Sequence, residues 1–210
     1  MEFNIATSLF TVISGDNASE RSLFLKNEFD KLNNVHQGVV PVYITPVSLL
    51  QDRQMSFVPT SSSPILLHEV ISHLQQLLSS SDNKTNMETD FGVKALTHFL
   101  SMLSSGTIHS SVILFWDLPE SFLHPSWQVA ISRLLVMCAS SGVRICLSTQ
   151  SPYIVQAVRF YSQKQNLNVY YILAELDASG ASLVSDVTDD LNRLFYPLAM
   201  PLSRIMNIYK

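Results

Sequence analysis

Charge is what this sequence has least of. Asp, Glu, Lys and Arg make up only 14% of its 210 residues, and the net charge is −4. A chain with no basic excess lacks the footprint of a stand-alone nucleic-acid binder, so nucleic acid is expected to be reached only through a complex. Cysteine is nearly absent as well. Cys138 and Cys146 fall in apolar company on a predicted helix and a predicted strand, which reads as two buried thiols in a reducing compartment. No apolar run reaches the roughly 20 residues of a membrane span, and no basic segment opens the chain as a secretory signal would. A cytoplasmic protein is expected. No CxxC, HExxH or GxSxG element occurs, so zinc and serine-hydrolase chemistry have no anchor. His68 and His73 are five apart, off the spacing of a helical metal pair.

What is present is apolar: 47% of residues are hydrophobic. That suffices for one sizeable domain with its own core over residues 1–210. Low charge beside a positive mean hydropathy points to apolar surface covered by a partner. The densest apolar run is 112–116, VILFW, ending in Asp117. Such a run, bounded by polar punctuation, fits a strand buried on both faces of a parallel sheet. A carboxylate at its C-terminal end sits where open α/β sheets bind ligands.

Further strands are predicted over 8–14, 38–45, 143–149 and 169–176, with Pro41 marking 38–45 as an edge or a strand start. The turn at 177–180 predicts a hairpin returning through 182–185. Helices are predicted to about residue 34, over 65–78, 91–103, 126–140 and 153–163, and Gly106 reads as a helix C-cap. In helix 91–103 the apolar stripe is Phe91, Leu96, Phe99, Leu100 and Leu103. Residues 79–90 read as a polar, mobile linker. A last helix is expected to open at Thr188-Asp189-Asp190, with Pro197 and Pro201 breaking the tail into short pieces. Glu120 reads as a solvated carboxylate.

Between the first strand and the first helix lies Gly15-Asp16-Asn17-Ala18-Ser19-Glu20-Arg21-Ser22. Strand, tight loop and helix in that order are the setting of a phosphate-binding loop. The stretch resembles a decayed GxNGSGKS loop of ABC-type, AAA-like ATPase heads of the overcoming-lysogeny and SMC-related group. Gly15, Asn17, Ser19 and Ser22 match it, whereas Ala18 and Glu20 replace glycines and Arg21 replaces the lysine. Glu20 brings a Cβ and a negative charge where backbone must approach phosphate, and the planar Arg21 does not fit a lysine slot by default.

Residues 112–125, VILFWDLPESFLHP, resemble the Walker B strand and its DEPExxLHP sequel. Asp117 matches the magnesium-associated Asp, and Leu118 stands in place of the catalytic Glu. Residues 148–153, Ser-Thr-Gln-Ser-Pro-Tyr, resemble the family's STHSPY element, with Gln150 in place of the switch His. A glutamine donates a hydrogen bond but carries no imidazole proton chemistry. Gln51 is a further candidate for the metal-contacting glutamine.

The resemblance implies a three-layer α/β P-loop NTPase-like domain with a mostly parallel central sheet, a C-terminal hairpin and a helix. Phosphate cradling, water activation and γ-phosphate sensing are altered together, which implies a catalytically inactive, ATPase-like subunit. Such a subunit would work by docking on a protein partner, as a homo- or heterodimer with an ATPase-like subunit, in a DNA-maintenance or anti-phage assembly. One alternative is a nucleotide-binding protein that holds ATP with Mg²⁺ through Gly15, Asn17, Ser19, Arg21, Ser22 and Asp117 and hydrolyses slowly or not at all. Another is a structural RecA-like partner that binds no nucleotide and docks through Trp127 or other exposed aromatics.

Overall fold

Four strands buried on both faces set the architecture. The structure is a computed structural model and describes residues 5, 7–15, 18–34, 40–50, 65–79 and 91–208. Its elements in chain order are β1 (Phe10–Ser14), α1 (Ala18–Asn33), β2 (Val40–Ile44), α2 (Pro46–Leu50), α3 (Ile65–Ser79), α4 (Phe91–Ser104) and β3 (Val112–Asp117). They continue as α5 (Pro125–Ser140), β4 (Arg144–Ser148), α6 (Pro152–Lys164), β5 (Val169–Leu176), β6 (Ser182–Asp186) and α7 (Asn192–Ile208). The strands form one sheet in the order β2-β3-β4-β1-β5-β6. All pairs are parallel except β5–β6.

Side chains of a strand point alternately to opposite faces, and here both faces are apolar. Ile13, Ile113, Phe115, Cys146, Ile172 and Ala174 pack against Leu25, Phe24, Phe29 and Leu32 of α1. Val12, Leu114, Trp116, Leu147 and Leu173 form the larger core on the opposite face, with Leu96, Phe99, Leu135, Ile154 and Leu194 from α4, α5, α6 and α7. This is the three-layer, mostly parallel α/β arrangement that residues 112–116 call for. Each fully buried apolar side chain stabilises it by roughly 2 kcal/mol.

Pro41 sits on β2, which lies at one edge of the sheet, where its missing N–H costs no central ladder bond. Gly106 ends the α4 region with φ 74°, its N–H donating to the Leu103 carbonyl at 3.2 Å, as a left-handed cap requires. Cys138 and Cys146 are free and buried; burial pushes the Cys138 thiol up to about 12 and Cys146 well above its ordinary value.

Three expectations need correction. Phe91 does not join the core: it is exposed and stacks on exposed Phe122 with ring centroids 5.4 Å apart. The last helix begins at Asn192 rather than Thr188, because Thr188 is held to the sheet: its Oγ1 accepts the Tyr171 N–H at 3.0 Å. The helix then runs unbroken through Pro197 and Pro201. Each proline removes one intrahelical bond, to the carbonyl four residues earlier. The four-residue spacing keeps both losses on one side, and Leu194, Phe195 and Leu198 anchor the helix to the core. Gln51 and residues 80–90 lie outside the described residues.

Candidate functional site

The sheet order creates the site. β1 continues through α1 to β2 at the far edge, while β4 lies between β1 and β3, and β5 lies on the other side of β1. The C-terminal ends of β1, β3 and β4 therefore converge, and they carry Gly15, Asp117 and Ser148–Gln150. Open α/β sheets place ligands at such a switch point.

Asp117 is buried at the end of β3. Its Oδ1 accepts the Ser22 hydroxyl of α1 at 2.8 Å and also the Ser148 hydroxyl. The parallel register sets Asp117 beside Ser148, a partner the sequence marks only as part of the switch element. Directly after Asp117 the chain turns sharply: Leu118 has φ 49° and donates its N–H to the Ser148 carbonyl at 3.0 Å. A left-handed backbone is uncommon for a leucine, and it falls on the position that the family resemblance aligns with a catalytic Glu.

Arg21, in the second turn of α1, is 1% exposed. Its Nη1 donates to the Gly15 carbonyl, and its Nη2 donates to Gln150 Oε1 at 3.2 Å. The two residues that the family resemblance aligns with the lysine and the switch histidine thus touch each other. Gln150 is held from behind, because its backbone N–H donates to Glu120 Oε1 at 2.8 Å. Glu120 is therefore no solvated carboxylate. Burial pushes its carboxyl pKa up, against the opposing effects of the Gln150 N–H, the Thr149 hydroxyl and the Arg21 charge. The remaining oxygen, Oε2, is buried with no hydrogen-bond partner among the described residues.

A raised folded pKa means that the protonated form favours the fold. That contribution is full below the unfolded carboxyl pKa and is lost as pH rises through the folded value. Glu120→Gln keeps an acceptor for Gln150 without the titration. Its melting temperature should exceed the parent's at pH 7, and the two should converge in acid. A variant melting below the parent at pH 7 would show that the carboxylate charge is needed, with Arg21 as its partner.

Gly15, Arg21 and Gln150 also form one wall of a cleft of about 1000 Å³, bounded across from them by Arg193, Tyr196 and Arg204 of α7. Asn17 lies outside the described residues, as does the side chain of Ser19; Glu20 is half-buried in the first turn of α1. Trp127 is half-buried against the core. Among the described residues no cluster of three His, Cys, Asp or Glu could hold a metal, and no helix is long and apolar enough to cross a membrane.

Residues 91–156, from α4 through the first turn of α6, match the family described as an AAA domain, putative AbiEii toxin, Type IV TA system. Together with the sheet order, that match supports a P-loop NTPase-like fold. The matched span holds Asp117, Leu118 and Gln150 and covers roughly a third of the chain. No curated protein matches the chain.

For a P-loop ATPase-like domain the implied ligand is ATP with Mg²⁺, and its two halves fit this site unequally. Ser22 and Asp117 place a hydroxyl and a carboxylate together, as a magnesium site needs. The position for the outer phosphates is another matter. There the cation of the loop is buried and already bonded to a backbone carbonyl and an amide oxygen. The residues present do not fit a triphosphate.

Proposed function

We propose that this protein is a catalytically inactive ATPase-like subunit that works by docking on a protein partner, an active ATPase-like subunit of a DNA-maintenance or anti-phage assembly. The observation that carries this reading is the contact of Arg21 with Gly15 and Gln150. In phosphoryl transfer a basic side chain neutralises charge on the outer phosphates, and a separate residue orients the attacking water. In this chain the basic side chain is turned inward, Leu118 has no proton to exchange, and Gln150 serves as the acceptor for Arg21. Arg21 in the interior and Gln150 at its exposed edge thus bond to each other.

The description of the matched family as a putative toxin of a toxin–antitoxin system suits a defence setting with a second component. The test is calorimetric titration of Mg-ATP into the full chain, beside a phosphate-release assay. No binding heat and no turnover are expected. Saturable, Mg-dependent binding that Ser22→Ala abolishes would instead favour a nucleotide-holding protein built on the Ser22–Asp117 pair.

A further inference from the structure

The two edges of the sheet differ. β2 carries Pro41 at its second position, a common protection against unwanted strand pairing. β6, Ser182-Leu183-Val184-Ser185-Asp186, has no proline, lysine, arginine or glycine. Both of its faces reach solvent, with Leu183 47% and Val184 39% exposed.

The hydrogen-bond phase of the hairpin shows which groups are open. Asp177 N–H donates to the Ala181 carbonyl, and Val187 N–H to the Tyr171 carbonyl, at 2.9 and 2.8 Å. Hydrogen-bonded pairs alternate along an antiparallel ladder, so the register assigns Leu183 and Ser185 to the bonded pairs with Glu175 and Leu173. The backbone N–H and C=O groups of Ser182, Val184 and Asp186 therefore point away from the sheet. Among the described residues none pairs with them, and they form a row beside Leu183 on one face and Val184 on the other.

Charge identifies the occupant. From 169 to 191 the chain holds no lysine, arginine or histidine, and Asp177, Asp186 and Asp189 flank β6 in sequence. Glu175 and Asp190 instead line the cleft that Arg21, Arg193 and Arg204 share. Two copies pairing through β6 would bring six of the flanking carboxylates together. An extended segment bearing lysine or arginine meets the opposite sign.

We infer that β6 is the docking edge for an extended, basic segment of a partner protein, added as a seventh strand, with alternate side chains seated by Leu183 and Val184. This rests on the proposed partner-docking function and names the surface and the chemistry of the partner. Backbone pairing supplies the affinity in such strand addition, and alternate side chains supply the selectivity.

The test uses the full chain and an eight-residue peptide of alternating lysine and valine as probe. Its controls are the glutamate–valine analogue and a lysine peptide of equal charge interrupted by prolines. Fluorescence anisotropy should show saturable binding of the lysine–valine probe alone. Amide hydrogen exchange should slow at Val184 and Asp186, whose N–H groups point outward. Val184→Pro removes an N–H that the fold does not use. It should keep the parent's melting temperature within about 2 °C and weaken the probe at least tenfold. If this variant proves unstable, the neutral Leu183→Ser and Val184→Ser, which keep every backbone group and add no charge, should weaken the probe by a similar factor.

Equal binding of the proline-interrupted peptide, unchanged exchange at Val184, or no binding at all would overturn the inference. So would a parent dimer that Val184→Pro converts to monomer, since β6 would then be taken by a second copy. Mg-ATP titration of Val184→Pro should match the parent, so failure at this edge and failure of the inactive-site reading remain distinguishable.

Discussion

Gly15→Ala should destabilise the fold by at least about 3 kcal/mol, beyond the usual range for one added methyl group in a packed interior. A Cβ on Gly15 would lie 1.8 Å from the Ala174 carbonyl oxygen and 2.8 Å from its carbon. Both are backbone atoms of β5, which is fixed by its pairing with β1 on one side and β6 on the other. No rotamer change relieves the clash; the strands must separate. For a chain of this length the loss corresponds to a melting temperature lower by roughly 6–12 °C. Thermal unfolding of Gly15→Ala beside Ser22→Ala, which adds no atom and removes one bond to Asp117, provides the comparison. A Gly15→Ala protein melting with the parent would mean that β1 and β5 do not approach as described. The loop glycine thus serves the packing of two strands whether or not any phosphate is bound.

Arg21→Ala is expected to cost about 3 kcal/mol. The guanidinium is among the largest fully buried side chains. Truncating it leaves a cavity and strips the Gly15 carbonyl and the Gln150 amide oxygen of a donor. The unmet buried Gly15 carbonyl costs about 1–3 kcal/mol, the exposed Gln150 amide regains water, and losing the expense of burying a charge offsets part of the total. A double-mutant cycle with Gln150→Ala isolates the pair, with an expected coupling of about 1 kcal/mol for a charge-assisted bond at 3.2 Å. An Arg21 that served phosphate would behave otherwise: the alanine variant would keep its stability and lose nucleotide. Denaturant titration of the three variants separates the cases, and a coupling near zero would remove the Arg21–Gln150 contact as a structural element.

Much of the frame is legible in the sequence because it is local. The run from Val112 to Trp116 is apolar at every position, and only a strand covered on both faces accommodates that. The hairpin at 177–180 announces itself through its turn residues. The site is legible as a set of altered positions but not as an arrangement. Arg21 and Gln150 are 129 residues apart, and no pattern in either neighbourhood shows that the two replacements meet. Glu120 reads as solvated for the same reason, since its enclosure depends on where β4 delivers Gln150. The continuous α7 shows the limit of propensity: two prolines forecast a break, yet core contacts from Leu194, Phe195 and Leu198 hold the helix through them.

The bond between Arg21 and Gln150 also bears on reversibility. Lysine at 21 alone gives up the forked donor that reaches two acceptors. Histidine at 150 alone withdraws the amide oxygen that Arg21 uses. Glutamate at 118 alone starts from a left-handed backbone, so its carboxylate is aimed by a turn that has settled around leucine. On the proposed reading of an inactive subunit, each single step toward turnover gives up a contact of the present fold. Only a concerted change avoids that loss, and the fold would then act as a ratchet.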